Sequence, residues 1–179
     1  MWLASPLLLG AILSAAVCHE LGHWLVLRRV GGRIQRLHIT VFGAEMQVDD
    51  RRISYGGELL TAAAGPVSNL LLAAAMGLLG RWWEPMYLFA GAQLVLGAFN
   101  LLPALPLDGG RILWLALAWL TEPYTAQRVL SAVSLAVSLA LLLGGGWFIW
   151  RLGGSPFLLV GAVGLTGWNL REIKLAKGG

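Results

Sequence analysis

Apolar residues run along most of the chain in long stretches, and polar residues gather in the short segments between them. Most of these stretches approach or exceed the roughly 20 residues that an α-helix needs to cross a bilayer. The pattern predicts an all-α membrane protein, a bundle of about five transmembrane helices. The predicted spans are residues 2–27, 59–79, 86–102, 129–149 and 156–170.

Two segments depart from the helical pattern. Between residues 33 and 55, apolar and polar positions alternate on both sides of Gly43, which predicts a small β-hairpin or sheet after the first span. Between residues 100 and 111, two prolines and a glycine pair exclude a regular helix. Irregular backbone at membrane depth is tolerated where protein buries it or where it lines a wet cavity, so we expect this segment to serve the protein's function.

Composition agrees with a membrane protein. Hydrophobic residues make up 58% of the 179 residues and charged residues 12%, against about a quarter in soluble domains. The net charge of +4 does not indicate nucleic acid as a partner, because the basic residues flank apolar runs. The single cysteine, Cys18, excludes an internal disulfide and a cysteine-rich zinc site.

The distribution of positive charge predicts the orientation. If the loop after the first span is cytoplasmic, the inner side carries eleven of the thirteen lysines and arginines, and the outer side carries Arg81 and Arg151. Cytoplasmic loops of membrane proteins are enriched in these residues. We therefore expect an N-terminus outside, a C-terminus in the cytoplasm and a multi-pass chain in the cell membrane.

The pentapeptide His19-Glu20-Leu21-Gly22-His23 lies inside the first apolar span. Histidines four residues apart lie on one helix face, about one turn from each other, so both can bind one Zn²⁺ ion. Glu20 is offset by one position, where a carboxylate can take a proton from a water that the metal activates. The alternative is a pair of core histidines with an accidental glutamate, but ionisable groups at membrane depth usually mark function.

Asp108 lies on the broken segment and is the candidate for a third zinc ligand. The alternative is that it caps a helix beginning at Gly109. Asn69 follows Gly65-Pro66-Val67-Ser68 near the start of the second span, where a proline kinks a helix and a glycine permits close approach. Its side chain fits either catalysis or hydrogen bonding between packed helices.

Together these motifs resemble the site-2 protease family of intramembrane zinc metalloproteases. The resemblance rests on the His19–His23 motif, on Gly65 to Asn69, and on Asn100 to Gly110, which is similar to the family's Asn-Pro-Pro-Leu-Asp-Gly pattern. Thr40-Val41-Phe42-Gly43 resembles the small bacterial branch that includes the sporulation sigma-factor processing protease. The resemblance covers about residues 10–120.

The resemblance implies a three-helix catalytic core within residues 1–120, with further transmembrane helices from 121 to 179 packed on it. It implies zinc held by His19, His23 and Asp108, Glu20 as the catalytic base, and Asn69 and Asn100 in substrate binding or oxyanion stabilisation. The substrate would be a protein that is cleaved in or near its membrane-embedded segment. The resemblance is also compatible with a regulatory partner protein. The active site would face the cytoplasmic side. The alternative function is a non-enzymatic membrane protein, a transporter subunit or scaffold, with an inactive zinc motif.

Overall fold

The computed structural model describes residues 5–32, 34–40, 43–48, 53–152 and 163–168. Its elements, in chain order, are the helix α1 (Pro6–Arg29), the strands β1 (Ile34–Thr40) and β2 (Gly43–Val48), and the helices α2 (Tyr55–Leu79), α3 (Met86–Asn100), α4 (Asp108–Leu120) and α5 (Pro123–Leu152). Residues 163–168 are also helical.

Local sequence signals fix both ends of α1, the helix that carries the histidines. Ser5 caps its start, because the Oγ atom accepts the Leu8 N–H at 3.2 Å, and Pro6 follows as the first helical residue. At the other end Gly31 adopts a φ of 82°, and Gly32 donates its N–H to the Leu27 carbonyl at 2.9 Å. A glycine in this left-handed conformation closes a helix by satisfying its last carbonyls.

The strands β1 and β2 pair antiparallel in a two-stranded sheet. Leu37 lies opposite Met46, His38 opposite Glu45, and Ile39 opposite Ala44. The register shifts between Ile34 and Arg36. Val41 and Phe42, which belong to the predicted alternation and to the family-like run before the second span, lie outside the described residues.

The chain forms two compact units, Met1–Leu101 and Leu102–Gly179. In the first, α1, α2 and α3 pack on one another. Most of the buried positions of α1 are small residues or the ligand candidate, spaced three to four apart, and a leucine near the helix end is buried as well: Ala11, Ala15, His19, Gly22 and Leu27. In the second unit α4 packs on α5. The predicted division of the chain at residue 120 stays a prediction.

Large apolar side chains point outward while polar ones are buried. Leu9, Leu71 and Val95 are among many exposed aliphatic residues, whereas Asn69, Gln93 and Ser134 are fully buried. Soluble proteins show the opposite arrangement. Among the described residues, α1, α2 and α5 are long and apolar enough to cross a bilayer. The chain is therefore a multi-pass membrane protein.

The individual spans differ from the prediction. The third predicted span, 86–102, is the 15-residue helix α3, whose length of about 22 Å falls short of the roughly 30 Å hydrocarbon core. The fourth predicted span, 129–149, is longer in the structure, because α5 begins at Pro123 and ends at Leu152. The fifth predicted span lies largely outside the described residues, so the number of five spans stays a prediction.

Candidate metal centre

The two histidines of the pentapeptide converge on one point beside α1. Their Nε2 atoms are 3.1 Å apart, and the rings meet edge to face with centroids 4.7 Å apart. His19 is buried and His23 is half-buried. The helical spacing of four residues thus brings one nitrogen of each ring to the same place, as the sequence predicts.

Hydrogen bonds on the far side of each ring fix where its proton lies. The Nδ1 atom of His19 is 2.7 Å from Oδ1 of Asn69, and Nδ1 of His23 is 2.7 Å from the carbonyl oxygen of Thr61. Both oxygens can only accept, so each Nδ1 carries the hydrogen. In a neutral imidazole the other nitrogen then presents a lone pair, which is the form that binds a metal.

In neutral rings that carry their hydrogens on Nδ1, both Nε2 atoms present lone pairs, and here these atoms are 3.1 Å apart. Such an arrangement favours a cation between or beside them. Zinc–nitrogen bonds of about 2.0–2.1 Å allow both atoms to bind one ion at this separation. The donor set fits a zinc ion.

Gly65 of α2 keeps the space beside His23 open. A Cβ atom at this position would overlap the His23 ring, with Nε2 as its nearest atom. The same α2 segment approaches α1 at Gly22, where a Cβ would come within 2.6 Å of Ser68 Oγ and 2.7 Å of the Ala64 carbonyl oxygen. The pair of glycines lets the two helices cross closely at the level of the histidines.

Pro66 follows Gly65 inside α2 and is buried. A proline removes one hydrogen bond to the preceding turn and displaces that turn's carbonyls. Thr61, whose carbonyl accepts the proton of His23 Nδ1, lies in this preceding turn. Gly65 thus provides the room for the second histidine, and the Thr61 carbonyl one turn earlier accepts its proton.

Asp108 is the first residue of α4 and is half-buried. The residue in the N-cap position is Leu107, which has extended backbone angles. Asp108 therefore does not cap a helix beginning at Gly109, the alternative that the sequence left open. Its role as the third zinc ligand stays a prediction.

Comparisons with known proteins support a metalloprotease relationship. The family model described as Peptidase family M50 matches residues 78–144, which include Asp108 but not the histidine motif. A zinc metalloprotease of Methanocaldococcus jannaschii is 28% identical over 138 residues, covering 73% of this chain and 40% of the relative. Stage IV sporulation protein FB of Bacillus subtilis is 28% identical over 162 residues, covering 83% of this chain and 55% of the relative.

The fold is similar to that of a site-2 protease from Methanocaldococcus jannaschii, with a TM-score of 0.73 and 24% sequence identity. The similarity covers 93% of this chain and 77% of that structure. Residues 78–144 thus match the family M50 model, and the curated relatives include zinc metalloproteases, which agrees with the predicted resemblance to the site-2 protease family. The structural similarity shows a shared fold. The chain spans between 40% and 55% of the length of the curated relatives it matches.

The remaining predicted site residues lie in different surroundings. Glu20 is half-buried directly after His19 in α1. Asn69 is fully buried and hydrogen-bonded to His19, as described above. Asn100 is half-buried at the end of α3 and donates to the Leu96 carbonyl of its own helix at 3.1 Å. Their roles in substrate binding or catalysis stay predictions.

One buried polar residue that is connected to the histidine pair was not predicted from the sequence. Gln93 of α3 is fully buried, and its Oε1 atom accepts a hydrogen bond from Asn69 Nδ2. Its signal in the sequence is its isolation, since it is the only polar side chain between Tyr87 and Asn100. Polar residues in apolar spans are usually functional, and this rule alone would have marked it.

Proposed function

We propose that the protein is an intramembrane zinc metalloprotease that hydrolyses peptide bonds in or near the membrane-embedded segment of a substrate protein. The observation that carries the proposal is the pair of Nε2 atoms 3.1 Å apart, each turned to the same point by a hydrogen bond at Nδ1. Glu20 stands between these histidines in the sequence. The names of the relatives, which include zinc metalloproteases, give the reaction class.

In this proposal His19, His23 and Asp108 hold the zinc ion. When bound, zinc would lower the pKa of a water molecule and polarise the scissile carbonyl. Glu20 accepts the proton of the attacking water and passes it to the leaving amine. Asp108 supplies the negative charge that the two neutral histidines lack. Asn100 is proposed to bind substrate or to stabilise the oxyanion.

The proposed substrate is a membrane protein, because the histidine motif lies within a helix long enough to span the bilayer. A helical substrate segment hides its carbonyls in its own hydrogen bonds, so it must unwind before cleavage. Unwound backbone needs new partners near lipid. The strands β1 and β2 follow α1 and are proposed to offer an edge to which such a segment can pair.

The proposed catalytic core comprises residues 1–120, and the proposed topology has five spans with the N-terminus outside and the active site toward the cytoplasm. A cysteine replacing Arg51 should then react with a membrane-impermeant thiol reagent only from the cytoplasmic side. A cysteine replacing Trp83 should react only from outside. The measurement uses a Cys18→Ser background, and the reverse labelling pattern would overturn the orientation.

The decisive test of the function is Glu20→Gln, which removes the proton acceptor and spares all three proposed ligands. We expect unchanged zinc content and a loss of cleavage of about 10²- to 10⁴-fold. The assay co-expresses the chain with tagged single-span membrane proteins and measures fragments that the unaltered chain produces. Glu122→Gln, at an exposed glutamate before α5, is the matched control and should cleave normally. Undiminished cleavage by Glu20→Gln would refute the proposed mechanism.

A further inference from the structure

We propose that Gln93 is a positioning residue for the metal centre: through Asn69 it keeps the proton of His19 on Nδ1 and so keeps Nε2 available to zinc. The inference rests on the proposed zinc site and extends it to a residue of α3. It also gives Asn69 a role, which is to accept the hydrogen bond from His19 Nδ1 and so to orient the His19 ring. The hydrogen-bonded side chains are His19 of α1, Asn69 of α2 and Gln93 of α3.

The first step is the orientation of the Asn69 amide. Its Nδ2 atom donates to the Ala15 carbonyl at 3.1 Å and to Gln93 Oε1. Both partners can only accept, so the amide nitrogen must face them and Oδ1 must face His19. Both Asn69 amide protons are thus used inside the bundle, which leaves neither for an oxyanion.

Without the acceptor at Gln93, the Asn69 amide would lose the hydrogen bond that Nδ2 donates to Gln93 Oε1. One Nδ2 proton of Asn69, which is fully buried, would lose its partner, and an unmade hydrogen bond of this kind is costly. The Ala15 carbonyl alone would then hold the amide nitrogen in place, and rotation of the amide by half a turn, against this one remaining contact, would bring Nδ2 toward His19. A donor there requires His19 Nδ1 to accept, so the imidazole proton would move to Nε2. That proton would occupy the lone pair proposed to bind zinc.

Packing between helices does not by itself explain a glutamine at position 93. Within the described part of the chain its Nε2 atom is buried without a hydrogen-bond partner, which opposes stability. Close approach of α2 and α3 is already provided one turn later by Gly97, where a Cβ would come within 3.0 Å of the Asn69 Cβ. The acceptor Oε1 is therefore the useful part of the side chain.

The test compares two replacements of similar size at Gln93. Gln93→Met keeps the shape and removes the acceptor, whereas Gln93→Glu keeps an acceptor and removes the unpartnered amide nitrogen. Loss of one neutral hydrogen bond corresponds to a factor of roughly 2 to 12, so Gln93→Met should weaken zinc binding by about that factor. Gln93→Glu should bind zinc as the unaltered chain does. Leu94→Met, at the exposed neighbouring position, is the control for a methionine in α3.

Zinc affinity is measured on the purified full chain by competition with a chromogenic chelator. In an Asn69→Leu background, Gln93→Met should have no further effect, because the proposed influence passes through Asn69. Equal zinc affinity of Gln93→Met and Leu94→Met would overturn the inference. Equal loss in Gln93→Met and Gln93→Glu would also overturn it, since it would mean that shape and not the acceptor matters.

A second readout needs neither zinc nor proteolysis. In metal-free protein labelled with nitrogen-15 histidine, the His19 side chain should carry its proton on Nδ1, and Gln93→Met should populate the other tautomer. An unchanged tautomer in Gln93→Met would refute the inference, even if the Asn69→Leu chain fails to fold. If the unaltered chain binds no zinc while the tautomer still responds to Gln93, the proposed function fails and the effect on His19 stands.

Discussion

The two regions that supply the proposed zinc ligands hold them in different ways. In α1 the histidines are fixed by hydrogen bonds at their side chains, to Asn69 Oδ1 and to the Thr61 carbonyl of α2. The residues around them are regular helix from Pro6 to Arg29. Here the backbone is ordinary and the side-chain partners are specific.

The region before α4 shows the reverse arrangement. Residues 101–107 are a non-helical connection, held by backbone hydrogen bonds such as Leu107 N–H to the Ala104 carbonyl at 2.9 Å. Gly110 lies so close that a Cβ would come within 2.7 Å of the Ala104 backbone. Ser134 of α5 accepts the Leu105 N–H at 3.1 Å. The backbone conformation of residues 101–107 thus determines where Asp108 lies.

This contrast predicts how zinc binding should be lost in each region. A ligand held by side-chain partners is lost when its partner or the space beside its ring changes, while the helix persists. A ligand held by an irregular backbone is lost when the segment shifts, while its own side chain stays intact. Substitutions in the two regions should therefore separate into effects on zinc affinity with a normal fold and effects on both together.

The largest effect is expected from Gly65→Ala in α2. The added methyl group would overlap the His23 ring at Nε2, so the ring must leave its position. Zinc affinity should fall by more than the roughly 10- to 100-fold that loss of an outer hydrogen-bond partner costs. Metal analysis of the purified protein measures it.

Gly77→Ala is the matched control in the same helix, because nothing lies within 4 Å of a Cβ there. Alanine is the better helix former by about 1 kcal/mol, so this variant should keep its zinc and its thermal stability. Normal zinc content in Gly65→Ala would mean that the Gly65 space does not belong to the metal site.

Replacement of Asp108 should rank next. Asp108→Asn keeps an oxygen but removes the charge, and Asp108→Ala removes both, so zinc affinity should fall in that order. The helix α4 should persist in both, since Leu107 and not Asp108 occupies the N-cap position. Full zinc occupancy in both variants would show that the third ligand lies elsewhere in the chain.

Sequence reasoning succeeded where the information is local. The four-residue spacing of His19 and His23 needs only an α-helix to bring two nitrogens together. The bounds of that helix were less accurate, since the predicted span is 2–27 and α1 runs from Pro6 to Arg29. The end of α3 was harder, because apolar residues continue past Asn100 while the helix stops there. A hydropathy pattern shows which residues are apolar, but it does not show where a helix ends.

The partners of the histidines could not be predicted. Asn69 lies 50 residues after His19, and Gln93 lies 24 residues after Asn69. Their hydrogen bonds depend on how α1, α2 and α3 cross, which the close approaches at Gly22 and Gly97 determine. A single sequence gives the polar residues of each span but not which of them meet.

The smallest effect should come from Ser134→Ala in α5, which removes the acceptor of the Leu105 N–H. One neutral hydrogen bond corresponds to a factor of roughly 2 to 12, so zinc affinity should fall by no more than this through a looser Asp108 segment. Ser134→Thr keeps the oxygen and should restore most of the affinity. Ser131→Ala, at a half-buried serine one turn earlier, is the control and should bind zinc normally.

If Ser134→Ala and Ser131→Ala bind zinc equally well, the backbone approach at Gly110 suffices to hold the segment. If Ser134→Ala loses zinc as completely as Gly65→Ala does, the contrast between the two regions is wrong, because a single side-chain partner would then control both.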